Sequence, residues 1–166
     1  MGGTNRNLNH NVVQQNKFMS TYTQILYQIV FSTKNRDLTM TADHRHELFK
    51  YIRGILEHKK CHLYQINGVE DHIHLLTHLH PSVALAELVK DIKLASTKFI
   101  KEKGIFPGFN GWQDGYGAFT YAIDRKDILI NYIKNQEEHH RNRTFREEYI
   151  ALLEEHGVVY DEKYLL

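Results

Sequence analysis

A chain of 166 residues with 42% hydrophobic and 25% charged residues has the composition of one soluble domain with a real core, and its net charge of +1 neither requires nor excludes a nucleic-acid partner. The single cysteine, Cys61, rules out an internal disulfide framework and a four-cysteine zinc module, and it fits a reducing cytoplasm. No secretory leader pattern opens the chain and no stretch approaches the ~20 apolar residues of a membrane helix, so the expected setting is cytoplasmic, without a membrane partner.

Residues 1–19 are dominated by Asn, Gln and Gly and carry too little apolar surface to offset ordering entropy, which predicts a flexible extension before a single domain over residues 20–166. From Thr23 to Ser32 the β-branched and aromatic run, with Ile25, Tyr27, Ile29 and Phe31 on one face, predicts a strand closed by the basic turn Lys34-Asn35-Arg36. Thr41 and Asp43 suit a helix start, and Leu48, Tyr51, Ile52, Ile55 and Leu56 recur at helical spacing to about His58. Residues 61–69 and 72–79 predict two strands joined by a tight turn at Glu70-Asp71.

After Pro81-Ser82 a helix is expected to about Lys103, with Leu85, Leu88, Ile92, Ala95 and Phe99 as its apolar stripe and Lys90, Lys93, Lys98 and Lys101 on a solvated arc. A glycine-rich loop, Gly104 to Gly117, carries Trp112 and Tyr116 and leads into a fourth strand, Ala118 to Ile123. Asp124 with Asp127 resembles a capping box for a helix from about Arg125 to His140. Thr144 with Glu147 is a cleaner one, for a helix carrying Phe145, Tyr149, Ile150, Leu152 and Leu153. The order β-α-β-β-α-β plus two helices is the split β-α-β arrangement of ferredoxin-like and RRM-like α+β folds: an antiparallel sheet with both crossover helices on one face and the other face open.

Two stretches carry candidate chemistry. In Asp71-His72-Ile73-His74-Leu75-Leu76 strand alternation sets His72 and His74 side by side on the open face while Ile73 and Leu75 enter the core, a preformed pair of imidazole ligands. With 12 histidines in the chain, such a pair is a weak signal by itself. The second is Tyr132-Ile133-Lys134-Asn135-Gln136, in which Tyr132 and Gln136 lie one helical turn apart on one face, followed by His139. Taken alone, this helix reads as a core-edge tyrosine beside an exposed glutamine. His78 and His80 are read as solvent-facing strand-end residues, Tyr121 and Tyr149 as packing residues, and Asp71 as part of the hairpin turn.

Together, His72-Ile73-His74, Trp112-Gln113-x-Gly115-Tyr116 and the Tyr132–Gln136 segment resemble the single-tyrosine HUH transposases of the insertion-sequence 200-like family (IS 200/605 type) over about residues 20–166. The resemblance implies that Tyr132 is the nucleophile and that His72, His74 and Gln136 bind a divalent metal, Mg²⁺ or Mn²⁺, with His139 as an extra ligand in related proteins. It implies cleavage and rejoining of single-stranded DNA with subterminal hairpins through a 5′-phosphotyrosine, in a prokaryotic cytoplasm. It also implies a homodimer in which the tyrosine helix can act in trans. No nucleotide cofactor is expected, in agreement with the lack of a GxxxxGK[ST] loop. Lys34, Arg36, Lys98 and Trp112 are the candidate DNA contacts. The reading kept beside this one is a non-catalytic single-stranded nucleic-acid-binding module on the same sheet.

Overall fold

A computed structural model of the chain describes residues 21–141 and 143–165; the flexible extension expected over residues 1–19 lies outside the described residues. Strand β1 (Leu26–Ser32) leads through a basic 3-10 turn at Lys34–Arg36 into helix α1 (Ala42–His58). A hairpin of β2 (His62–Gly68) and β3 (His72–His78) is followed by α2 (Leu85–Lys103) and β4 (Gly117–Tyr121). Three C-terminal helices complete the order: α3 (Lys126–Lys134), α4 (Gln136–His139) and α5 (Phe145–Glu155). The sheet order is β2-β3-β1-β4 with every pair antiparallel, the expected split β-α-β sheet.

The first face of the sheet makes the main core. Ile29, Phe31, Ile73 and Leu75 pack under Leu48, Ile52 and Leu56 of α1 and Leu88 and Ile92 of α2. The second face, expected to be open, is covered. Leu26 and Leu76 pack against Leu129 and Ile133 of α3, while Val30 and Phe119 pack against Phe145, Tyr149, Leu152 and Leu153 of α5. β1 and β3 are therefore buried along nearly their whole length instead of on alternate residues, the pattern of strands covered on both faces. The expectation underestimated the C-terminal helices, whose apolar residues need a partner and find it on this face.

Three local expectations are corrected. The helix expected from Arg125 to His140 is interrupted at Asn135, where φ −95° and ψ 21° leave the helical range, and the proposed Asp124/Asp127 box makes no cap hydrogen bond. The Thr144/Glu147 capping box is formed in both directions. Lys93 is half-buried, not on a solvated arc. Its ammonium donates to the carbonyls of Gln113 (2.8 Å) and Gly115 and sits 5.3 Å from the Phe31 ring centre, and burial pushes its pKa down to about 8. With Trp112, it fixes the glycine-rich loop on α2.

Two glycines give opposite expectations. A Cβ at Gly68 would run into the His72 carbonyl and the Ile73 backbone across the hairpin, and neither can yield, whereas Gly54 on exposed α1 has open space around it. Urea unfolding should show Gly68→Ala losing about 2–3 kcal/mol, and Gly54→Ala gaining about 0.5–1 kcal/mol from helix propensity.

Candidate active site

Between the two apolar clusters of the second face runs a polar seam. His72 and His74, on the central strand β3 and opposite Ser32 and Val30 of β1, are fully buried. Gln136 from α4 and Glu148 from α5 are buried with them. Tyr132, near the end of α3, approaches the seam edge-on, its ring centre 6.2 Å from that of His74. The chain thus brings Tyr132, His72, His74 and Gln136 together.

Local anchors hold the tyrosine segment there. The Asn67 amide on β2 donates to the Lys134 carbonyl at the end of α3 (2.9 Å). Arg45, buried on α1, donates to the Gly68 carbonyl (2.6 Å) and pairs with Glu137 of α4 (3.0 Å). The break at Asn135 also changes the phase of the chain. His140, not His139, turns to the histidine pair, its ring centre 4.5 Å from that of His72. His139 stays exposed and lies against the Tyr132 ring at 5.0 Å.

Glu148 connects these parts. One carboxylate oxygen, Oε1, accepts from the Tyr132 hydroxyl and from Gln136 Nε2 (3.1 Å). The other, Oε2, lies 2.9 Å from His140 Nε2, 3.4 Å from His74 Nε2 and 3.6 Å from His72 Nε2. Burial acts to raise the Glu148 pKa, but the surrounding His74, His140 and Tyr132 groups outweigh it and hold the carboxyl below its usual range. Burial lowers the His72 pKa despite its bond to Asp71, keeping the neutral, ligand-competent imidazole. For His140 burial is outweighed by Glu148, whose hydrogen bond and charge raise the pKa. The Tyr132 phenol is pushed above its usual range by burial and then by the Glu148 charge.

The seam fits a metal ion. His72, His74, His140 and Glu148 each offer one ligand atom, all within 4.8 Å of one another. The Nε2 atoms of His72 and His74 are buried and have no hydrogen-bond partner, a condition that a cation between them and the carboxylate relieves. The other side of the His72 ring is held by the Asp71 carboxylate at 2.6 Å, the orienting partner typical of metal-binding histidines.

The remaining candidates divide. Lys34 and Arg36 are exposed at the end of β1, next to the Ser32–His72 pair. Lys98 lies on α2, in the layer behind the sheet, and pairs with Glu102. Trp112 is buried, so the expectation that it contacts DNA is corrected. Its ring packs edge-on to Phe31 and Phe109 and its Nε1–H donates to Ser96 Oγ (2.9 Å), which leaves no face for a base. Sequence reasoning missed Glu148, His140 and the Asp71 carboxylate. A signal existed for Glu148: it stands three residues after Phe145 and four before Leu152, on the apolar stripe of its helix.

Asp71 is the simplest test of the ring-orienting arrangement. Its backbone oxygen, which accepts from the Thr33 amide and hydroxyl, is untouched by side-chain replacement. Asp71→Ala should lower the affinity for Mn²⁺ by ~10–100-fold with the fold intact, measured by calorimetric titration alongside a thermal melt.

Residues 21–136 match the sequence family described as "Transposase IS200 like". The chain is 25% identical over 120 residues to the ISDra2 transposase TnpA of Deinococcus radiodurans, a span covering 68% of this chain and 84% of that protein. A crystal structure of a candidate transposase from Deinococcus radiodurans R1 superposes with a TM-score of 0.56 at 24% identity, covering 70% of this chain and 95% of that one. A REP-associated tyrosine transposase, solved bound to a REP hairpin, superposes with a TM-score of 0.55 at 16% identity over 74% of each chain. Those two structures speak for a shared fold. The sequence match spans all four strands, the histidine pair and the tyrosine turn, and on that ground the chain belongs to the IS200-like transposase family.

Proposed function

We propose that this protein is a DNA transposase that cleaves and rejoins single-stranded DNA at element ends, with Tyr132 as nucleophile and His72, His74 and Gln136 serving a divalent ion, Mg²⁺ or Mn²⁺. The observation that carries this reading is the meeting of Tyr132 with the buried histidine pair through Glu148, from three elements distant in sequence. When bound, the ion polarises a phosphate oxygen and offsets the charge that develops in the transition state.

Tyr132 Oη attacks the phosphorus, the bond to the 3′ oxygen breaks, and the products are a 5′-phosphotyrosine and a free 3′-OH. The phosphodiester energy is kept in the covalent link, so a 3′-OH of another strand can displace the enzyme without a nucleotide cofactor. The phenol rests protonated, and its proton already lies on a hydrogen bond to Glu148. Cavities of about 390 Å³ and about 190 Å³ open beside Tyr132 and Glu148, both lined by Arg143, and give a phosphate a route to the phenol from the crevice beside α5. Lys34 and Arg36 follow the backbone at the His72 end of the sheet. The substrate is single-stranded DNA flanked by hairpins. The protein works as a homodimer in which the helix bearing Tyr132 can complete the site of the partner.

The test is incubation with labelled single-stranded DNA from the flanks of its own gene, with and without Mn²⁺, followed by denaturing electrophoresis. Wild type should give a covalent adduct; Tyr132→Phe should abolish it while hairpin binding persists, and His72→Ala should lose cleavage with metal affinity. An adduct that survives in Tyr132→Phe removes that residue from the role. DNA binding by wild type with no adduct under any divalent ion identifies a non-catalytic binder instead.

A further inference from the structure

The three imidazoles of the seam share one orientation. His72 Nδ1 faces the Asp71 carboxylate at 2.6 Å, and His140 Nδ1 faces the Arg143 carbonyl at 2.9 Å. Both partners are acceptors, so both rings carry their proton on Nδ1. His74 Nδ1 lies 3.2 Å from the Gln28 amide, whose buried Oε1 has no partner. Turning that amide by half a turn gives Oε1 the His74 Nδ1–H and satisfies both groups. All three Nε2 atoms then converge on Glu148 Oε2, at 2.9, 3.4 and 3.6 Å. For His72 and His74 this sets a bare nitrogen lone pair against a carboxylate oxygen, acceptor against acceptor, inside a site from which solvent is excluded. Such an opposition is favourable only with a cation between the two.

The Gln136 amide is differently placed. Its Nε2 donates to Glu148 Oε1 and its Oε1 lies 3.0 Å from His140 Nε2, so the amide sits against both groups at once. Glu148 and His140 both lie beyond residue 136, where the family match ends.

We propose that the divalent ion is held by His72, His74, His140 and Glu148, three imidazoles and one carboxylate, and that Gln136 is a positioning residue that aligns the last two. This rests on the metal-dependent reading above and changes its ligand set. An imidazole-rich centre with one carboxylate suits Mn²⁺, Co²⁺ or Zn²⁺, whereas Mg²⁺ favours six oxygens and keeps its waters. Glu148 also ties the centre to the nucleophile, because its second oxygen holds the Tyr132 hydroxyl. The C-terminal helix α5 is thereby part of the metal site and not only a cover for the sheet.

The experiment is metal titration of the full chain without DNA, by calorimetry and by the visible spectrum of the Co²⁺ form. Wild type should bind Co²⁺ and Mn²⁺ more tightly than Mg²⁺ and give the intense bands of low-coordinate Co²⁺. Glu148→Gln, which keeps shape and an acceptor for Tyr132, and His140→Ala should each lose more than ~100-fold in affinity, beyond the range for outer-shell partners, and lose those bands. Gln136→Ala should lose ~10–100-fold, with the bands retained. X-ray absorption of the Co²⁺-loaded wild type keeps the test independent of whether any variant folds. Three coordinated imidazoles support the assignment and two overturn it. Unchanged affinity in Glu148→Gln and His140→Ala, with loss of the Co²⁺ spectrum in Gln136→Ala, likewise overturns it in favour of the amide ligand. Because no DNA is present, these outcomes are separate from the adduct assay, whose failure would overturn the transposase reading and leave the metal centre standing.

Discussion

The architecture of the second sheet face depends on one buried carboxylate. Glu148 is surrounded by His72, His74, His140, Gln136 and Tyr132, contributed by β3, the α3–α4 segment and its connection to α5. An unpaired charge in that position would cost several kcal/mol, so each neighbour has a defined task. His140 Nε2 lies against one oxygen at 2.9 Å, Gln136 and Tyr132 donate hydrogen bonds to the other, and the histidine pair faces the carboxylate with two nitrogens that have no hydrogen-bond partner. Phe145 stacks on the His72 ring at 4.2 Å and closes the seam on the α5 side. Apolar packing of Val30 and Phe119 under α5, and of Leu26 and Leu76 under α3, presses both helices onto the sheet and keeps this polar network dry.

The seam also explains why the tyrosine helix is short. A continuous helix from Arg125 to His140 would keep Gln136 and His139 in phase with Tyr132, but the segment must also meet Arg45 and Asn67 on the other side. Asn67 takes the Lys134 carbonyl, and Arg45 takes Glu137, on either side of the break at Asn135. The interruption lets α3 follow its apolar contacts with the sheet while α4 follows its polar ones. Arg45 is itself tied to the Gly68 carbonyl at the β2–β3 hairpin, so the turn that launches His72 and the turn that carries Gln136 are braced by the same guanidinium.

Much of this was legible in the sequence, and what was missed has a common cause. The alternation in His72-Ile73-His74-Leu75 holds: one strand builds the core with Ile73 and Leu75 and the site with the histidines. The Thr144/Glu147 box marked the start of α5 because capping is local chemistry. The roles of Trp112, Lys93, His140 and Glu148 are not legible in the sequence because they are set by partners far away in the chain. Trp112 is by residue type a candidate DNA contact, yet its Nε1–H has a buried acceptor in Ser96, which itself occupies an apolar stripe of α2. Lys93 was assigned to solvent by helical phase, yet the loop carbonyls it holds are invisible to periodicity. His139 and His140 are adjacent, and only the break at Asn135 decides between them.

Covering the second face changes how a strand of DNA is to be imagined in this protein. A single strand laid across an open sheet would meet the histidines directly, but they are fully buried beneath α3, α4 and α5. The half-exposed member of the site is Tyr132, at the mouth of the crevices lined by Arg143 and Glu148. On the proposed reading the scissile phosphate therefore comes to the nucleophile from the side of α5, opposite the histidine pair, which would hold the ion. Such a geometry gives the C-terminal helix a share in excluding water, since Phe145 stacks on His72 and Glu148 lies against both histidines from its inner face. A buried seam with Tyr132 at its rim keeps the Glu148 carboxylate dry, and an electrostatic contact is strongest in that state.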